Sequence, residues 1–216
     1  MTGMPGGEPR SEEAGGPPSE RTRIRRKADR ACYDAETVEG ILDAAFVAHV
    51  GFATEHGPCV LPMAYARSGG HLYLHGATGN AMLRALDGAD VCVTVTVLDG
   101  LVLSRSAFHH SMNYRSVVMF GRASVVVDDD EKDRALRAVV DHMVDGRSAE
   151  CRPPTPEELR ATRVIRVPLV EASAKVRAGA PIEDPADVDP PVFWGGVVPV
   201  TTVLGEPIPD VHVVVV

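Results

Sequence analysis

Aromatic residues make up only 5% of the 216-residue chain, so its core has to be built from aliphatic side chains. The four cysteines, Cys32, Cys59, Cys92 and Cys151, are scattered, with no Cys-x-x-Cys and no metal-ligand spacing. That spacing argues against a disulfide framework and against a zinc site. Cys59 and Cys92 sit in apolar strand patterns and read as small core residues. No apolar run is long enough to span a bilayer, and the amino-terminal stretch has no apolar signal core. The expected location is therefore the cytoplasm, with no membrane partner. Basic residues are outnumbered 22 to 30, and a net charge of −8 does not suit nucleic acid. No Gly-x-Gly-x-x-Gly follows a strand, so a Rossmann-type dinucleotide fold has no support.

What the chain has is valine, clustered at strand period. Val91, Val93, Val95 and Val97 alternate with Cys92, Thr94 and Thr96, the pattern of a half-buried strand. Further strands are expected over 46–54, 59–66, 71–75, 101–106, 114–127 and 163–170. Pro62 removes a ladder donor and predicts an edge, a bulge or a ligand-facing gap. Gly121 predicts a bulge or a close approach. His49, on an apolar strand, reads as a core histidine rather than a ligand. Asp34 can cap a helix whose apolar face is Val38, Ile41, Leu42, Ala45 and Phe46. A second helix opens at Ala81. A third follows the acidic turn Asp128 to Glu131. A short fourth begins at the capping box Thr155-Pro156-Glu157-Glu158. About six antiparallel strands with few helices between them fit a small mainly-β (α+β) barrel.

Residues 1–21 are rich in Gly, Pro, Glu and Ser and read as a disordered tail. The basic run Arg21, Arg23, Arg25, Arg26, Lys27 and Arg30 reads as an arm on an acidic body or on a partner subunit.

Three stretches can carry chemistry. The first, His75-Gly76-Ala77-Thr78-Gly79-Asn80, lies between a strand and a helix, where backbone N–H groups can converge on an anion. The second, from His109 to Ser116, is dense in hydrogen-bonding side chains set between two valine-rich strands. Such a cluster needs a partner. The third is the tail around Trp194, which reads equally as a packing anchor. No acidic residue or cysteine joins His109 and His110 at ligand spacing, so no metal is expected.

The segments His-Val-Gly-Phe (49–52), Leu-Pro-Met-Ala-Tyr-Ala (61–66), Leu-Tyr-Leu-His-Gly-Ala (72–77), Tyr-Arg-Ser-Val-Val-Met-Phe-Gly-Arg (114–122) and Trp-Gly-Gly-Val-Val-Pro (194–199) resemble the FMN-binding split-barrel proteins. The likeness is to the pyridoxamine 5′-phosphate oxidase-like branch that includes the nitroimidazole-resistance (Nim) type, and it covers roughly residues 22 to 205. It implies a six-stranded antiparallel split β-barrel with a few flanking helices over 22–178. An extended segment, 179–216, would pack on the barrel or on a partner subunit. It implies a homodimer with FMN between subunits, the flavin phosphate at 75–80 and the ring along Pro62, Met63 and Tyr65. Cofactor contacts would come from His75, Gly76, Ala77, Thr78, Asn80, Tyr114, Arg115, Ser116, Val117 and Trp194. Relatives often carry Lys or Arg in the phosphate turn, where this chain has Asn80-Ala81. The phosphate would then rest on N–H groups, Thr78, and Arg84, Arg105 or Arg115. The implied activity is reduction of a small organic substrate, nitro-aromatic or quinone-like, with NAD(P)H or another reductant as donor. His75 or His110 would donate the proton. The alternatives are a non-catalytic flavin- or haem-binding protein, and a reductase using deazaflavin F420.

Overall fold

Period-two alternation decides which side chains face inward. In the computed structural model, which describes residues 15–210, Ala48, Val50 and Phe52 are buried and the residues between them face out. In chain order the strands are β1 (Ala31–Cys32), β2 (Val47–Thr54), β3 (Gly57–Ser68), β4 (His71–Ala77), β5 (Asp90–Leu103), β6 (Ser111–Arg122), β7 (Ser124–Val125), β8 (Thr162–Pro168), β9 (Glu171–Arg177) and β10 (Gly196–Pro199). The helices are α1 (Ala35–Asp43), α2 (Ala81–Leu86), α3 (Asp129–Met143), α4 (Pro156–Ala161) and α5 (Pro185–Val188).

The described residues belong to two compact units. One runs to Val97 and resumes over Tyr114–Arg177; the other comprises Leu98–Asn113 and the chain from Ala178. In the first unit the strand order is β1-β9-β6-β5-β2-β3-β4-β8-β7. The sheet is antiparallel and does not close, because its end strands β1 and β7 pair only with β9 and β8 and not with each other: this is a split barrel. The six long strands expected from the sequence are β2, β3, β4, β5, β6 and β8. Asp99-Gly100 does not interrupt β5, which runs on to Leu103.

The core of this unit is aliphatic, as the scarcity of aromatics requires. Leu42, Leu72, Leu74, Leu86, Val50, Val117 and Ile165 are all fully buried within one cluster. Each contributes roughly 1.5–3 kcal/mol of burial. Helix α1 begins where the Asp34 carboxylate accepts from the Thr37 N–H, and it buries Val38, Ile41 and Leu42. Tyr65 is also in this core, its hydroxyl donating to the Leu42 carbonyl near the helix end. Helix α3 is capped by Asp128, and α4 by the Thr155–Glu158 box. Gly121 is a close-approach point: a Cβ there would lie 2.9 Å from Val167 Cγ1.

Two readings are corrected by the strand period. His49 is exposed, since its neighbours Ala48 and Val50 take the inward positions. Cys92 is half-buried on the face opposite Val91 and Val93, not in the core. All four cysteines are free. The expected tail and arm fall partly outside the described residues, at 1–14. Within them, Thr22 is buried and Arg21 pairs with Glu171 and lies over the Phe120 ring.

The second unit is small. Within it β10 pairs with the Gly100–Leu103 end of β5, and Asn113 donates to the Gly179 carbonyl. Residues 211–216 of the expected carboxy-terminal segment lie outside the described residues. No helix among the described residues is long and apolar enough to cross a membrane.

Candidate functional site

The site begins where two neighbouring strands part. β3 and β4 pair from Ser68↔His71 back to Tyr65↔Leu74, and there the ladder stops. Beyond that point β4 stays with β8, His75 lying opposite Val164, while β3 stays with β2, Pro62 lying opposite His49. Pro62 therefore sits on a stretch of β3 with one open edge, where a missing N–H breaks no ladder. Helix α2 fills in beneath. The result is a cleft of about 370 Å³ lined by Leu61, Pro62, Met63 and Ala64 of β3, His75 of β4, and Asn80, Met82, Leu83 and Leu86 at α2. Gly76 makes room for the helix, since a Cβ there would lie 2.7 Å from Leu83 Cδ1.

The walls are apolar, and two side chains supply the polarity. His75 is half-buried, and its Nδ1 is buried without a hydrogen-bond partner among the described residues. Desolvation lowers the imidazole pKa, so the ring is neutral near pH 7. Asn80 uses its carboxamide oxygen to cap α2, accepting from the Met82 N–H at 2.9 Å. That leaves its Nδ2 beside Gly76, 3.9 Å from where a Cβ would stand. An orphaned nitrogen over a slot of leucine, proline and methionine suits a flat, partly polar ring system.

The turn after His75 is arranged differently from the anion cradle read from its residues. The Thr78 N–H donates to the Ala161 carbonyl at 2.8 Å, and the Asn80 N–H to the Ala77 carbonyl at 2.9 Å. The Thr78 hydroxyl donates to the Arg160 carbonyl at 2.9 Å. Arg84 donates from Nη1 to the Gly79 carbonyl at 2.7 Å. Gly76 and Ala77 are still in the β4 ladder. These donors are engaged within the protein.

Of the residues singled out from sequence, Pro62, Met63, His75 and Asn80 come together in the cleft. Tyr65 and Val117 are core residues, 1% and 0% exposed. Tyr114, Arg115 and Ser116 stand half-buried on β6, opposite Arg177, Val176 and Lys175 of β9, and do not line the cleft. His110 and Trp194 belong to the second unit. There His110 is exposed, with Nδ1 3.1 Å from the Ser106 carbonyl, and His109 lies 3.2 Å from Asp184. Trp194 is 65% exposed, and its ring stands where a Gly196 side chain would be.

Two features were not legible beforehand. Met82 lines the cleft, although its spacing is that of an ordinary helix residue. Glu183 forms an ion pair with Arg105 at 3.1 Å in the second unit, across 78 positions of sequence.

Comparison with known proteins places this geometry in a family context. The sequence profile described as Pyridoxamine 5′-phosphate oxidase matches residues 34–176. No curated protein matches the chain. Among solved structures, the flavocytochrome Anf3 from Azotobacter vinelandii is 39% identical, covers 93% of this chain and 94% of its own, and superposes with a TM-score of 0.87. The FAD and haem binding protein from Mycobacterium smegmatis is 36% identical over 86% of this chain and 91% of its own, with a TM-score of 0.82. A candidate 5-nitroimidazole antibiotic resistance protein from Bacteroides thetaiotaomicron is 25% identical over 68% of this chain and 86% of its own, with a TM-score of 0.56.

Proposed function

The chain belongs to the pyridoxamine 5′-phosphate oxidase family, and on that premise we propose that it is a flavin-dependent oxidoreductase that also carries haem. The observation that carries the flavin reading is the cleft at the β3–β4 split, where the orphaned His75 Nδ1 stands over an apolar wall. Both groups are named for relatives at 39% and 36% identity that span nearly all of this chain. Bound flavin supplies hydride and electron transfer.

The protein's own part is binding, orientation and exclusion of water. Leu61, Pro62 and Met63 offer a flat apolar face for the ring. His75, kept neutral by desolvation, offers its Nδ1 to the ring's hydrogen-bonding edge. Asn80 holds the start of α2, and with it Met82 and Leu83, against the other side of the cleft. The flavin is FAD in this reading, not the FMN implied by the sequence resemblance. FAD is the flavin named for the mycobacterial relative, and the Thr78 donors that a single phosphate at the turn would use are engaged elsewhere.

The substrate is a small organic acceptor, nitro-aromatic or quinone-like, with NAD(P)H as electron source. The protein acts as a homodimer; the exposed Val47 and Val60 on the outer faces of β2 and β3 suit burial against a second copy. The test is reduction by NAD(P)H followed by reoxidation with a nitro-aromatic or quinone acceptor. His75→Ala should keep the fold and lose most turnover. Full activity in that variant, with flavin bound, would remove His75 from the site. Oxidation and reduction only with F420 would replace the flavin assignment.

A further inference from the structure

The basic arm is only partly neutralised by the body it lies on. Arg21 is taken by Glu171, while Arg23 and Arg25 share the single carboxylate of Glu20, at 2.9 and 2.5 Å. The side chains of Arg26, Lys27 and Arg30 make no hydrogen bond or ion pair among the described residues. Arg26 and Lys27 are exposed, and Arg30 is half-buried just ahead of β1. β9 adds to the same edge of the sheet. Lys175 lies opposite Ala31, and its Nζ donates to the Arg26 carbonyl at 3.0 Å. Two positions on, burial lowers the Arg177 pKa and the like charge of Arg30 lowers it further, so those two guanidiniums stand within electrostatic reach of each other. Asp29 is the one carboxylate between Arg26 and Ala31.

Lys27 holds φ at 57°, the one non-glycine residue with positive φ among the described residues. An L side chain is strained there, and glycine or asparagine is the residue that relaxes it. At that corner the sequence keeps a long cation instead. The rest of the molecule has the opposite sign, since the chain carries a net charge of −8. A confined positive patch on an acidic molecule orients it toward an acidic partner of similar extent. Nucleic acid or an anionic bilayer carries its charge well beyond such a patch and meets the acidic remainder. No large apolar residue is exposed between Ser19 and Arg30. A charged face without an apolar centre suits a short-lived encounter, the kind electron carriers make, rather than a permanent interface.

We propose that Arg26, Lys27 and Arg30, with Lys175 of β9, form the docking face for a small acidic electron-carrier protein. This rests on the reading of the chain as a redox protein and gives it a second electron source beside NAD(P)H. Each reduced carrier gives up one electron and leaves oxidised. One carrier therefore suffices for a haem and two for a flavin, whose protons come from solvent. The arm is divided by this role: Arg21 fixes it to β9 and to the Phe120 ring, and the cations after Arg25 face outward.

The test uses the full chain, with flavodoxin as the acidic carrier. Oxidised flavodoxin is titrated into the protein by calorimetry, and reduction of the protein by reduced flavodoxin is followed by stopped flow. Both affinity and rate should fall steeply as salt rises from about 0.01 M to about 0.5 M. The double variant Arg26→Glu with Lys27→Glu should lower both at least about tenfold at low salt. The pair Arg26→Gln with Lys27→Gln should fall between, and it carries the test where charge reversal loosens the arm. Arg147→Glu with Arg160→Glu makes the same change of net charge at two other exposed sites and should have little effect. Reduction by dithionite, which needs no docking, should stay within about twofold in every variant. Affinity and rate in the Arg26 and Lys27 variants equal to wild type would overturn the proposal. So would tighter binding of duplex DNA or anionic vesicles through the same residues, or a change of oligomeric state that shows the patch to be covered by a second copy. A chain that takes up flavin or haem but does not bind flavodoxin refutes the docking face alone. One that binds flavodoxin through Arg26 and Lys27 but takes up neither group keeps the docking face and refutes the redox reading.

Discussion

The Thr78 hydroxyl donates to the carbonyl of Arg160, 82 positions away, tying the turn after β4 to the end of α4. The Thr78 N–H makes the neighbouring contact with Ala161. A residue that reads from sequence as a phosphate donor is thus a tie between two elements. Thr78→Val removes the hydroxyl bond and keeps the shape. It should cost about 1 kcal/mol of stability in denaturant unfolding and change flavin affinity less than about twofold. A large loss of flavin affinity at unchanged stability would return Thr78 to the cofactor.

The neutral state of His75 has a pH signature. Burial lowers its pKa in the folded chain, so the unfolded chain, with an ordinary imidazole, takes up the proton first as pH falls. The contribution of His75 to stability is therefore complete above the ordinary imidazole pKa of about 6.5 and declines as pH drops below it. Unfolding free energies of wild type and His75→Asn measured from pH 8 to pH 5 should diverge only at the acid end, with wild type showing the steeper fall. Parallel curves would mean that the ring titrates normally in the fold.

Gly121 and Val167 are packed too closely for any side chain at 121. The glycine has no positive φ, so a substitution there is a matter of space alone. Gly121→Ala should destabilise by roughly 1–3 kcal/mol through overpacking. Pairing it with Val167→Ala should recover part of that loss in a double-mutant comparison. Additive effects of the two changes would contradict the close contact.

Tyr65 is the largest fully buried side chain, and its hydroxyl serves the Leu42 carbonyl at the end of α1. Tyr65→Phe leaves that carbonyl without its partner and should cost about 1–3 kcal/mol. Because the ring faces the core and not the cleft, flavin affinity in the folded variant should stay within about twofold of wild type.

Much of the fold was legible because it follows from local chemistry. The valine alternation of β5, the Asp34 and Asp128 caps and the Thr155–Glu158 box all lie where those residues require. β9 was not visible. The turn that leads into it from β8, at Leu169-Val170, offers none of the Gly, Pro, Asn or Asp residues that mark turns. Its buried positions are Ala172, Ser173, Ala174 and Arg177, which give no alternating apolar signal. β10 was hidden for another reason, since a four-residue strand in a Pro- and Gly-rich tail is created by its partner at Gly100–Leu103. For the site, Pro62 announced an open edge by the hydrogen bond it cannot make, and the edge is there. Thr78 misled because donor chemistry does not say which acceptor is nearby. Arg105 and Glu183 meet only through tertiary structure, and no spacing rule could join them.

The most direct test of the central claim is the absorption spectrum of the protein as purified, followed by release and identification of any bound flavin. The account predicts flavin bands together with a haem Soret band, with FAD released on denaturation. A colourless protein that gains neither set of bands on incubation with FAD, FMN or haem would contradict it.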